Sequence, residues 1–175
     1  MTRDLFEGCI AGGGFASGHA VIIGAWRTSP FGTFVDVMWR RPDGERVLLA
    51  PTPSVASYVA LRPRFLRRRP WWIRVEDRLA RPVVGLLIGG GQGVRAAGIA
   101  PGGQREYYSV DDYRRVVAGE LSVDGRDAGT LGPLPADLGV GLSAFPTVPA
   151  VAYVGTIIEG SFWDAAPAPP AWDVP

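Results

Sequence analysis

The chain has 175 residues, a net charge of +1, and 47% hydrophobic against 20% charged residues. It is long enough to bury a core without disulfides and too apolar to be a disordered chain. All 18 basic residues are arginine, and the absence of lysine closes two chemistries to its side chains: Schiff-base formation and the lysine contact of a P-loop.

One cysteine, Cys9, and one histidine, His19, exclude an intrachain disulfide and a Cys/His zinc cluster. No metal site and no cofactor is expected. A Ser/His/Asp arrangement would have to use His19, which reads better as a histidine at the start of a strand; Cys9 reads as a small apolar side chain. The first twenty residues contain Arg3, Asp4 and Glu7 and do not read as a signal peptide. The longest apolar run, Pro82 to Val94, is broken by Gln92 and several glycines and falls short of the ~20 residues of a membrane helix. These features lead us to expect a soluble cytoplasmic protein.

In chain order, Val21 to Trp26 is β-rich and is closed by Ser29-Pro30-Phe31-Gly32. Phe34 to Trp39 alternates, with Phe34, Asp36 and Met38 on one face and Val35, Val37 and Trp39 on the other, as in a strand covered on both sides. Arg41-Pro42-Asp43-Gly44 is a turn, and Arg46 to Ala50 returns as the partner strand. Thr52-Pro53 offers an N-cap and a first-turn proline for a helix of two to three turns that ends at Arg62-Pro63.

Trp71 to Glu76 alternates as a strand, and Asp77 to Ile88 reads as a helix weakened by Pro82 and Gly85. Ser109 and Asp112 have capping-box spacing and predict a short helix ending near Arg115. Strands at Val116–Val123 and Ala128–Leu131 flank the hairpin signal Asp124-Gly125. Two more strands follow at Val140–Phe145 and Val151–Glu159, and the proline-rich stretch 164–175 reads as an extended tail. Seven or eight strands with two or three short helices, and no βαβ alternation, make a mainly β, antiparallel barrel-like domain over residues 1–163. Self-association is left open.

Gly91-Gln92-Gly93-Val94-Arg95-Ala96 matches a dinucleotide fingerprint, but Gly98, Pro101, Gly102 and Gly103 would break the helix it must open. A glycine loop is the better reading. Residues 62 to 81 carry eight arginines against Glu76 and Asp77, a local charge of +6. Within them, Arg67, Arg68 and Arg69 beside Trp71 and Trp72 combine fixed charge with stacking surfaces, a combination suited to an anionic partner such as nucleic acid or a membrane surface. A solvated or self-paired turn explains the same residues, and nucleic acid is the less favoured partner.

Two groups carry the chemistry of a small-molecule site. Asp36 shares its face with Phe34 and Met38, where a carboxylate must find partners or have its pKa raised, as a general acid or base does. Arg105, Glu106, Tyr107 and Tyr108 form a polar and aromatic cluster in which Arg105 and Tyr107 share one face, leaving Glu106 and Tyr108 on the other. Either pair could line a cleft with Glu106 as a second acid or base; a surface ion pair with half-buried tyrosines is the plain alternative.

Gly32-Thr33-Phe34-Val35-Asp36 resembles the G-x-[aromatic]-x-[acid] strand of acetoacetate decarboxylase-like proteins. Glu106-Tyr107-Tyr108 to Gly119, and the later strands through Ile158, are similar in layout to bacterial relatives of that barrel. The resemblance covers about two thirds of the chain in order of elements. It implies a β-barrel with a buried cavity for a small carbonyl or carboxylate compound, with Asp36 at the position of the family's pocket acid. The family's nucleophilic lysine pair has no counterpart here, so Schiff-base decarboxylation does not carry over. Ligand binding, or a lysine-independent activity, is what the resemblance then implies.

Overall fold

The computed structural model describes residues 3–66, 94–99, 105–135 and 147–160. These residues are mainly β, with one helix. The expected strands 71–76 and 140–145, the expected helix 77–88, the turn with Arg67, Arg68, Arg69, Trp71 and Trp72, and the tail 164–175 lie outside them.

Three strands form the centre of the sheet: β1 (Arg3–Phe15), β2 (Ala20–Thr28) and, from the far end of the chain, β10 (Ala150–Glu159). The strand β1 pairs with β2 through Glu7 to Gly14 on one side and with β10 through Arg3 to Gly12 on the other, both antiparallel. Beyond β2 lie β3 (Phe34–Arg40) and β4 (Arg46–Leu49); beyond β10 lie β6 (Arg105–Arg115) and β5 (Val94–Ile99). The order is β4-β3-β2-β1-β10-β6-β5. A small hairpin of β7 (Ser122–Val123) and β8 (Arg126–Asp127) stands apart, and β9 (Leu131–Gly132) pairs with the end of β1. The sheet is open, with β4 and β5 at its edges, so the expected barrel does not close among the described residues.

The turns follow from local chemistry. Gly32 and Gly44 both take positive φ, and the Gly44 amide donates to the Arg41 carbonyl at 2.9 Å, closing the predicted hairpin. Asp124 (φ 51°) and Gly125 (φ 74°) give the two positive φ angles of a type I′ turn. The strands flanking this second hairpin are shorter than expected: Val116 to Glu120 is irregular, and only Ser122–Val123 and Arg126–Asp127 pair.

The helix α1 (Pro53–Leu66) begins where Thr52 predicts, with the Val55 amide donating to the Thr52 hydroxyl at 3.3 Å. It runs through Pro63 instead of stopping there. A proline in the last turn removes one backbone donor, and the tertiary packing of the helix's first turns outweighs that loss. Val55 and Tyr58 bury against Phe6, Phe34 and Ile158 to form the core at one end of the sheet. Phe6 stacks on Tyr58 at 5.2 Å, and Phe31 meets the same ring edge-on at 5.2 Å.

One further expectation fails for a physical reason, and one strand was not anticipated. Residues 109–115 are strand, not helix, because β6 pairs with β10 from Arg105↔Glu159 to Ala150↔Arg115. Asp112 does not cap a helix. It sits at the register shift in this pairing with φ 48°, and its carboxylate takes the Arg114 guanidinium at 2.7 Å; aspartate tolerates this left-handed conformation better than most residues. The strand β1, in turn, was hidden by its own glycines. Where its pairing with β2 shifts register, a Cβ on Gly8 would lie 2.2 Å from the Ala25 carbonyl oxygen, so only glycine permits the approach.

Replacing Phe6 by Ala removes a ring that stacks on Tyr58 and meets Trp26 edge-on, and is expected to cost about 3–5 kcal/mol of stability. Urea unfolding followed by circular dichroism measures this, and a loss below ~1 kcal/mol would show that the core lies elsewhere.

Candidate functional site

Asp36 is buried, 2% exposed, on the inward face of β3. Its register partner on β2 is Gly24, and Trp26 pairs with Phe34 one step along. The Trp26 indole reaches its diagonal neighbour, with Nε1 donating to Asp36 Oδ1 at 2.8 Å. Gly24 makes this contact possible: a Cβ there would stand 2.5 Å from Asp36 Oδ1 and 2.6 Å from Trp26 Nε1. Glycine, indole and carboxyl thus form one unit across two strands.

Burial raises the Asp36 carboxyl above its ordinary pKa, and the hydrogen bonds from Trp26 and from its own backbone act in the opposite direction. A neutral Asp36 is both a donor and an acceptor, which a carboxylate is not. Burial then declines along β3, from buried Phe34 and Asp36 to half-buried Met38 and Arg40. The helix covers the Phe34 end, so the less covered approach to the carboxyl is from Met38. Arg40 and Arg46 are register partners at that end of the hairpin.

The other expected residues do not join this unit. Register places Tyr107 opposite Ile157 and Arg105 opposite Glu159, on the outward face, and both side chains are exposed. Asp36, by contrast, shares the inward face with Gly24, Ile10 and Ala152 through successive pairings. The backbones of Glu106 and Tyr108 pair with Ile158 and Thr156, two buried positions. Four strand steps separate β3 from β6, on the order of 19 Å along the sheet. Asp36 and the Arg105 and Tyr107 side chains therefore face no common cavity.

His19 lies at the start of β2, where its Nδ1 accepts the Trp39 indole N–H at 3.0 Å. The proton of the neutral ring is therefore on Nε2. The hydrogen bond ties the histidine to a tryptophan and gives it no nucleophile to activate. Cys9 is half-buried on the outward face, opposite Tyr153 and Ala25. No group of three or more His, Cys, Asp or Glu side chains among the described residues could hold a metal ion. Val94–Ile99 is a strand, so the glycine pattern before it opens no helix for a pyrophosphate. No helix among the described residues is long and apolar enough to cross a membrane.

Sequence reasoning found Asp36 and missed its two partners. A signal for one was present: a lone glycine inside the apolar run Val21 to Trp26 marks a close approach. Comparison with known families, with curated proteins and with solved structures finds no match.

Because the Asp36 pKa is raised, the stability linked to its neutral form is present below the ordinary carboxylate pKa and is lost as pH rises through the raised value. Asp36→Asn keeps an acceptor for Trp26 and removes this loss. The melting temperature of the variant minus that of the parent is expected to grow as pH rises through that window and then level off. A pH-independent difference would contradict the raised pKa. Gly24→Ala is expected to cost roughly 1–3 kcal/mol in chemical denaturation, because neither strand backbone nor indole can yield freely.

Proposed function

We propose that the protein binds a small, largely apolar compound carrying a carbonyl or carboxylate group, with neutral Asp36 as the hydrogen-bonding acid. The observation that carries this reading is the Asp36 carboxyl itself, 2% exposed and held by an indole N–H opposite a glycine. Burying such a group is costly, and perturbed carboxyls of this kind concentrate at functional sites. The resemblance to acetoacetate decarboxylase-like proteins belongs to the same reading, since it assigns Asp36 to the pocket acid.

The chemistry follows from the side chains present. A ligand entering from the Met38 side meets a flexible thioether and then the carboxyl, whose O–H donates to the ligand's oxygen. Arg40 and Arg46, on the same face nearer the hairpin, attract an anionic group toward that approach. No imine forms with a side chain, because the chain holds no lysine. The reaction open to this carboxyl is proton transfer by Asp36, and binding alone requires less of the site.

The test is titration with butyrate, acetoacetate and 2-pentanone, followed through the indole N–H resonance of Trp26 and the amide of Gly24. Shifts that saturate, strengthen on acidification as Asp36 becomes neutral, and weaken at least about tenfold in Asp36→Ala are expected. No shift with any of the three at about 10 mM, where binding is worth under ~3 kcal/mol, would overturn the reading.

A further inference from the structure

The outward face of the sheet is unusual for a surface. Val35 is 54% exposed and Leu49 51%, with Ile23, Leu5, Ile157 and Tyr107 each more than a third exposed. Register aligns them in rows: Leu49, Val37, Ile23 and Ala11 form one, and Leu5, Ile157 and Tyr107 another. An antiparallel sheet with one solvated face normally alternates apolar-in and polar-out. Here the outward positions are largely apolar, as they are where a sheet is covered.

Charge sits in the gap between these rows. Arg27 is the residue skipped where β1 and β2 shift register between Glu7↔Thr28 and Gly8↔Trp26. A bulge of this kind re-aims a side chain. Its guanidinium lies 6.0 Å from the Tyr153 ring centroid and only 3.9 Å from the Glu7 carboxylate, with the Arg27 side chain 73% exposed. That pair is at the outer limit of an ion pair and leaves the arginine room for a second carboxylate.

We propose that this face docks a second copy of the chain about a two-fold axis, with Arg27 of each copy meeting Glu7 of the partner subunit. A two-fold interface makes every contact twice, so one adjacent pair of opposite charges suffices for two bonds across it. The described side chains of the face are also electrically balanced, with Arg3, Arg27, Arg105 and Arg114 set against Glu7, Asp111, Glu159 and the Asp112 that pairs with Arg114. A balanced surface has little pull on anionic lipid or nucleic acid and is well matched to itself. Its size agrees. About two dozen outward positions, each spanning roughly 4.8 by 6.8 Å, cover ~800 Å², the share each partner buries in a standard stable interface.

Sedimentation velocity on the full chain from about 1 to 100 µM tests the pairing. The parent protein is expected to sediment as a dimer, and Val35→Arg or Leu49→Glu to raise the dissociation constant at least about tenfold while retaining the parent's circular dichroism and unfolding midpoint. Glu7→Arg alone and Arg27→Glu alone are expected to be monomers, because each sets like charges against each other across the axis. Mixed in equal amounts, these two variants are expected to form a heterodimer. A parent that is monomeric at every concentration overturns the proposal whatever the variants do. Dimeric single variants, or a mixture that stays monomeric, show that the charges do not cross and overturn the proposed geometry.

Discussion

A carboxyl buried against an indole sets the terms for this sheet. A carboxyl on an apolar face is stable only with partners at hand, and here the partner comes from the neighbouring strand, at 2.8 Å. The contact demands a fixed β2–β3 register, because a slip of one residue would turn Asp36 outward and put a valine in its place. It also demands glycine at position 24, where a side chain would enter the space of both donor and acceptor. The same register carries Phe34 to the core with Phe6 and Tyr58, so the polar contact and the aromatic cluster specify one alignment.

The parts of this fold that were legible in the sequence are those decided within a few residues. Arg41-Pro42-Asp43-Gly44 and Asp124-Gly125 form their turns because proline, aspartate and glycine supply the required dihedral angles locally. Thr52 caps α1 for the same reason. What was not legible depends on distant partners. The capping-box spacing at Ser109 and Asp112 is a preference of about 1 kcal/mol, and it gives way to a ladder with β10 along most of β6. The strand β1 has glycine at positions 8, 12, 13 and 14, a composition that argues against a strand on propensity alone; its role as the sheet's central strand depends on partners at residues 20–28 and 150–159.

The candidate site shows the same division. Asp36 stood out because its neighbours two residues away on the same face, Phe34 and Met38, are apolar. Trp26 did not, since nothing in the sequence says which of six tryptophans lies beside it. The Arg105 to Tyr108 cluster is dense in chemistry along the chain, and density along the chain is no measure of distance across a sheet. Two strands in the middle of the order, β1 and β10, separate β2 from β6.

The alternation of β3 also limits what periodicity can decide. Its two faces are almost equally apolar: Phe34, Asp36 and Met38 against Val35, Val37 and Trp39. A rule that turns charge toward water would have put Asp36 outside and Val35 inside. The structure has the reverse, with Asp36 at 2% and Val35 at 54% exposure. The deciding residue is on the next strand: Gly24 leaves the room in which the carboxyl and the indole meet, while Ala25, the register partner of Val35, turns outward. An inward acid with its own donor and an outward valine without cover are therefore two results of one register.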